Sequence, residues 1–81
     1  MSIYEIHEKA EKLLNENNLF GEIESESNSL IITVRDGDWK HEHMRLDSLI
    51  IFHLNPIEVS KNVLEKSEDD CYSAEHIYKF E

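Results

Sequence analysis

The sequence predicts an α+β fold in which two helices pack on one face of a mostly antiparallel four-stranded sheet. The spacing of apolar residues alternates along the chain between three-to-four and two, which indicates the order α-β-β-α-β-β. The 81 residues include only two glycines and one proline, and 40% of them are hydrophobic. This composition is enough for one small core and too little for two. We therefore expect residues 1–81 to form a single α+β domain.

The first helix is predicted from Ile3 to about Asn17. Ser2 and Glu5 have the Ser-x-x-Glu spacing of a capping box, in which each side chain binds a free amide at the start of a helix. Apolar residues then recur every three or four positions along one face: Ile3, Ile6, Ala10, Leu13 and Leu14.

Two strands are predicted next, over residues 19–26 and 30–35, with turn residues at 27–29. In the first strand, acidic residues on one side alternate with small or apolar residues on the other. The acidic residues are Glu22, Glu24 and Glu26. In the second strand, Leu30, Ile32 and Val34 are predicted to face the core, because strand side chains alternate between faces.

A second helix is predicted over residues 39–54, which contain neither glycine nor proline. Asp38 is a suitable N-cap, and Pro56 disfavours a helical conformation at the residue before it. We expect Trp39 to anchor the core. The alternative is that residues 48–54 form a strand, since their Ile-Ile-Phe run also fits the centre of a strand.

The last two strands are predicted over residues 57–66 and from Cys71 onwards, as a hairpin closed by an acidic turn. The second of these has a clear period of two. One face carries Tyr72, Ala74, His76, Tyr78 and Phe80, and the other carries Cys71, Ser73, Glu75, Ile77 and Lys79.

The charge of the chain limits its partners. Eighteen acidic residues against eight basic ones give a formal net charge of −10. Phosphate backbones and anionic membranes would be repelled, so we expect neither direct nucleic-acid binding nor membrane binding, and a basic protein is the natural partner. The single cysteine allows no internal disulfide, and no apolar run approaches the roughly 20 residues that span a bilayer. A cytoplasmic location is expected.

The acidic residues of the first hairpin suggest mimicry of nucleic acid. Alternate strand residues repeat at about 6.6 Å, close to the spacing of roughly 7 Å between successive phosphates of one DNA strand. We predict as partner-binding residues Glu22, Glu24, Glu26, Asp36, Asp38, Glu68, Asp69 and Asp70. The alternative is a solvated strand face whose charges discourage pairing at the sheet edge.

A small ligand- or metal-binding module centred on Trp39, His41, His43 and Asp47 is the first alternative function. On a helix, His41 and His43 point about 200° apart, whereas His43 and Asp47 share a face. The chain also lacks the second closely spaced ligand pair that is typical of zinc sites. We predict no metal and no cofactor, and we expect Asp38 to cap the second helix.

Catalysis and self-association are two further candidate functions. Cys71, His76 and a carboxylate would supply the groups of a nucleophilic enzyme, but no glycine-rich phosphate loop or nucleophile at a sharp turn accompanies them. We therefore predict no catalytic residues. Self-association into a homodimer is the other alternative, through the surplus apolar residues Met44, Ile51 and Phe52.

Two segments, residues 36–43 and residues 70–76, resemble short uncharacterised proteins from phages and mobile elements of Gram-positive bacteria. By size and charge the chain also resembles the small acidic inhibitors of such elements, including anti-CRISPR proteins. This resemblance implies an inhibitor that blocks the nucleic-acid channel of a host protein such as a nuclease. It carries no functional residue with it.

Overall fold

A computed structural model describes residues 2–67 and 69–81 of the chain. Its elements are α1 (Ile3–Glu16), β1 (Glu22–Glu26), β2 (Ser29–Asp38), a π-helical segment (Trp39–Met44), α2 (Arg45–Leu54), β3 (Glu58–Lys66) and β4 (Cys71–Lys79). The predicted α+β class and the order α-β-β-α-β-β are confirmed. Within the described ranges, no helix is both long and apolar enough to cross a membrane.

The four strands form one sheet in the order β1-β2-β4-β3, with every neighbouring pair antiparallel. The central strands β2 and β4 are therefore distant in the chain, whereas β1 and β3 are the two edges. Pairing shifts register between Val34 and Gly37 in β2, and again between Val63 and Glu65 in β3. Such bulges bend a strand and redirect its side chains.

The core lies between one face of the sheet and the two helices. Its sheet side is formed by Leu30, Ile32 and Val34 of β2, as the alternation predicts, and by Tyr78 of β4. Its helix side is formed by Ile6, Ala10 and Leu14 of α1 and Leu46 and Ile50 of α2. Leu46 and Ile50 are four residues apart and both buried, which is the spacing of a helix. The prediction that residues 48–54 are helical is therefore confirmed.

Three local expectations were inaccurate. The second helix begins with a π-helical segment, in which His43 is buried while Trp39 is 42% exposed, so the prediction of Trp39 as a core anchor was wrong. β1 begins at Glu22, because Leu19 is buried and donates its N–H to Leu14 O at 2.9 Å, closing α1. β2 continues to Asp38 because a bulge carries its pairing past residue 35.

Candidate functional site

The face of the sheet turned away from the helices carries the three glutamates of β1. Residues directly opposite in a sheet share a face, and Glu22, Glu24 and Glu26 lie opposite Thr33, Ile31 and Ser29. These partners alternate with the buried Leu30 and Ile32, so the glutamates point away from the core. All three glutamates are exposed.

The register continues these positions across all four strands. Thr33 pairs with Glu75, Ile31 with Ile77 and Ser29 with Lys79, and these β4 residues pair in turn with Asn62, Ser60 and Glu58 of β3. We define the open face as Glu22, Glu24, Glu26, Ile31, Arg35, Glu58, Glu75, Ile77 and Lys79. Two partly exposed isoleucines thus occupy its centre, and five carboxylates and two cations surround them.

Arg35 reduces the charge at one corner of the open face. Its Nε lies 3.2 Å from Oε1 of Glu22, and both side chains are more than half exposed. Exposed pairs of this kind contribute at most about 1 kcal/mol, so the pair can open when a partner approaches. Within the described residues, Glu24 and Glu26 have no ion pair. The negative charge of β1 is therefore lowered and not cancelled.

The predicted residues Asp36 and Asp38 lie where β2 bends, and both are engaged in local hydrogen bonds. Asp36 Oδ1 accepts from Ser67 Oγ at 2.6 Å. Asp38 Oδ1 accepts from the N–H groups of Lys40 and His41 at 2.9 and 3.0 Å, so its predicted capping role is confirmed. The hydrogen bond from His41 lowers the pKa of Asp38, although desolvation opposes it.

The other predicted partner-binding residues lie elsewhere. Asp69 and Asp70 are exposed in the turn between β3 and β4, and Glu68 lies outside the described residues. This turn is separated from β1 by two or three strand spacings of about 4.8 Å each. The structure therefore does not place all the predicted acidic residues in one row. Glu58 and Glu75, which were not among the predicted residues, share the open face with the three glutamates of β1.

A buried polar chain lies on the helix side of the sheet. His43 Nδ1 is 2.7 Å from His76 Nε2, and the other nitrogen of His43, Nε2, is 2.8 Å from Tyr72 O. His76 Nδ1 is 3.1 Å from Asp47 Oδ1, which also accepts from Tyr78 Oη at 2.6 Å. Both imidazoles are 1% exposed. The chain joins the π-helical segment, α2 and β4.

The π-helical segment positions His43 through a widened cap. Glu42 Oε2 accepts from the Asp38 N–H at 2.8 Å, which resembles a capping box with one additional residue between the two partners. The extra residue suits the wider turn of a π-helix. Gly37 permits the close approach, because a Cβ there would lie 2.6 Å from Val34 Cγ1 and 3.1 Å from His43 Nε2.

Burial and hydrogen bonding set the charges of the ionisable groups in the buried polar chain. Burial alone would raise the pKa of Asp47, but hydrogen bonds from His76 and Tyr78 outweigh it and hold that pKa below its usual value. Burial is the main cause of a raised pKa for the Tyr78 hydroxyl, with the hydrogen bond to Asp47 adding to it. Burial also lowers the pKa of His43. Asp47 is therefore the ionised end of the chain.

The four residues of the proposed ligand centre do not lie together in the structure: Trp39, His41, His43 and Asp47. His43 and Asp47 both contact His76, which confirms that they share a face, whereas Trp39 and His41 are exposed. Among residues 2–67 and 69–81, no three side chains of His, Cys, Asp or Glu are arranged to hold a metal ion.

Cys71 and His76 are not brought together as a nucleophile and base. They lie five positions apart on β4, and so face opposite sides of the sheet. Partial burial, followed by the negative charges of Asp38 and Asp69, raises the pKa of the Cys71 thiol. A thiol with a raised pKa is a poor nucleophile at neutral pH.

A third histidine, His7, contacts a carboxylate and a hydroxyl between α1 and β1. His7 Nε2 is 2.8 Å from Glu11 Oε1, and its Nδ1 is 3.3 Å from Ser25 Oγ. The order of groups matches that of a hydrolase triad, but the Glu11 side chain is 56% exposed and the contact with Ser25 is long. We interpret these contacts as packing of α1 against β1.

Comparisons with protein families, with curated proteins and with solved structures gave no match to this chain. Its class is therefore defined by the structure itself. It is a small α+β domain with a helix-free acidic sheet face and a buried Asp-His-His chain.

Proposed function

We propose that this protein is an acidic interaction protein whose open face docks on the basic, nucleic-acid-binding surface of another protein and blocks it. The observation that carries the proposal is the position of Ile31 and Ile77 at the centre of the open face, with Glu24 beside them in the same row across the sheet and four further carboxylates in the adjacent rows. Within residues 2–67 and 69–81, both helices pack on the opposite face of the sheet.

The chemistry of the open face favours one kind of partner. Protein interfaces commonly have an apolar centre and a polar rim, and here the rim carries an excess of negative charge. A complementary surface would offer an apolar spot among lysines and arginines. Proteins that bind nucleic acid present such basic surfaces, and charge complementarity of this kind speeds association and excludes wrong partners.

The spacing of the carboxylates supports competition with nucleic acid. The glutamates of β1 repeat along the strand at about 6.6 Å, and the strands carry the pattern sideways in steps of about 4.8 Å. A groove that binds successive phosphates can therefore meet several carboxylates at once. By the resemblance to mobile-element inhibitors, we propose a host nuclease as the partner and a mobile element as the carrier.

Capture of partners tests the proposal. The protein is immobilised and exposed to an extract of a Gram-positive bacterium, and bound proteins are released with duplex DNA and identified. A variant with Glu22, Glu24 and Glu26 changed to Gln tests the open face. The matched control changes three exposed glutamates of α1 to Gln and so removes the same charge: Glu5, Glu8 and Glu16.

We expect DNA to release basic nucleic-acid-binding proteins from the wild type. The β1 variant should bind them about tenfold more weakly, since three exposed charge pairs at about 0.5 kcal/mol each amount to roughly one decade in affinity. The α1 variant should bind like the wild type. Equal weakening in both variants would indicate a response to total charge only, and retained binding in the β1 variant would exclude these glutamates from the interface.

Self-association is a second candidate, favoured by the apolar surface outside the open face. Met44 and Ile51 are 49% and 47% exposed, and Phe52 is 81% exposed. Val59 and Val63, on the helix side of β3, are also 40% and 44% exposed. Sedimentation of the wild type and of Phe52→Ser at several concentrations tests this candidate. A wild type that remains monomeric throughout would contradict it.

A further inference from the structure

We infer that the His43–His76 pair holds three protons on its four ring nitrogens, so that the pair carries one positive charge opposite Asp47 and acts as a proton-dependent clamp between the π-helical segment and β4. This inference concerns the buried polar chain and is independent of the proposed function.

The number of protons follows from the groups that bond the His43–His76 pair at its two ends. Tyr72 O is a carbonyl oxygen and can only accept, so Nε2 of His43 must carry a proton to bond it at 2.8 Å. Asp47 Oδ1 already accepts from Tyr78 and belongs to an ionised carboxylate, so Nδ1 of His76 must also carry a proton. Two neutral imidazoles supply only these two protons.

The contact between the rings requires the third proton. His43 Nδ1 and His76 Nε2 are 2.7 Å apart, and two ring nitrogens approach so closely only when one donates and the other accepts. A proton must therefore lie between them. The resulting positive charge is shared by two buried rings and is balanced by the carboxylate of Asp47, whose side chain is 35% exposed.

The surroundings keep the pair at a single charge. Asp47 faces it from α2, Tyr72 and Tyr78 face it from β4, and Glu42 caps the π-helical segment beside it. From β3, the Lys61 ammonium lies 3.0 Å from the Tyr72 hydroxyl and disfavours further positive charge. From β2, Val34 and Gly37 contribute no charge. One cation opposite one carboxylate is the balanced state.

A fourth proton would open the clamp. Both facing nitrogens would then be donors at 2.7 Å, and two cations would occupy a buried site with a single carboxylate. Acidification should therefore separate His43 from His76 and release the π-helical segment from β4. Loss of the third proton at alkaline pH would likewise leave two acceptor nitrogens facing each other.

Long-range ¹H–¹⁵N spectra of the imidazole rings, recorded on the wild type near pH 7, test the number of protons on the four ring nitrogens. We expect bonded protons on His43 Nε2 and His76 Nδ1, and a third, strongly downfield proton correlated with His43 Nδ1 and His76 Nε2. His41→Gln, which alters an exposed ring, should leave these signals unchanged. Two protons in total, or a His76 Nδ1 without a bonded proton, would overturn the inference.

A titration tests the clamp in the same sample. As the pH is lowered, the downfield proton should disappear together with the amide signals that mark contact between residues 39–44 and β4. If the rings take up a fourth proton while these amide signals stay unchanged, the pair does not act as a clamp.

Discussion

His43 and His76 lie 33 residues apart in the chain and meet at 2.7 Å between ring nitrogens, where each ring is 1% exposed. Asp47 and Tyr72 O complete the buried polar chain at its two ends. Buried polar groups are costly unless every donor and acceptor is paired, and among the described residues no buried side-chain nitrogen or oxygen lacks a partner. The stability of the domain should therefore depend on this chain as a unit.

Replacing His76 with Leu should destabilise the domain by about 2–4 kcal/mol, because the change keeps the apolar volume but leaves His43 Nδ1 and Asp47 without their partner. Urea unfolding followed by circular dichroism measures the change. His53→Leu alters an exposed histidine on the same side of the fold and should change stability by no more than about 0.5 kcal/mol. Similar effects for the two variants would contradict a structural role of the chain.

Stability should fall as the solution is acidified below about pH 6.5. Burial lowers the pKa of His43 in the folded state, so the unfolded chain takes up a proton near pH 6.5 that the folded chain resists. The pKa of Asp47 is also lowered in the folded state, so its contribution, present above about pH 4, is lost below that value.

Urea midpoints measured between pH 8 and pH 3 follow this dependence. The decrease between pH 7 and pH 5 should be smaller in His43→Gln than in the wild type. A wild-type midpoint that stays constant or rises over that interval would contradict the prediction.

Changing Tyr78 to Phe should cost about 1–2 kcal/mol, because Asp47 loses the 2.6 Å hydrogen bond from a fully buried hydroxyl. The pKa of Asp47 should rise in this variant, since that hydrogen bond helps to lower it. Urea unfolding measures the first effect, and the carboxyl ¹³C shift of Asp47 against pH measures the second. An unchanged Asp47 titration would show that the hydroxyl does not stabilise the carboxylate.

Changing Gly37 to Ala should destabilise the domain by about 1–3 kcal/mol through overpacking. The new Cβ would lie 2.6 Å from Val34 Cγ1 and 2.9 Å from Glu42 Oε2, and Val34 is a buried β-branched residue that cannot easily move. Ser60→Ala on the exposed β3 is the control and should have little effect. If the two variants unfold at the same urea concentration, the bulge does not need glycine at this position.

The fold could be predicted because its signals are local. The capping residues Ser2 and Glu5, the helical spacing of α1 and the alternation in β4 each depend on neighbours in the chain. The π-helical segment could not be predicted in the same way. It depends on the contact of Glu42 with Asp38 and on the close approach over Gly37, and both are properties of the folded domain.

The candidate site was only partly predictable for a related reason. The alternation of Glu22, Glu24 and Glu26 was visible in the sequence, and their exposure agrees with it. Their association with Glu75 and Ile77 depends on the strand order, which places β4 and not β3 beside β2. The Asp-His-His chain had two signals in the sequence: the four-residue spacing of His43 and Asp47, and a histidine on the apolar face of β4.

The most direct test of the proposed function is a methyl spectrum of isoleucine-labelled protein with and without a partner captured from the extract. The proposal predicts that the methyl signals of Ile31 and Ile77, on the open face, shift or broaden on binding. Signals of the buried Ile6 and Ile50 should stay in place. Changes confined to the exposed Ile51 and Ile57, with Ile31 and Ile77 unaffected, would contradict the assignment of the open face as the binding surface.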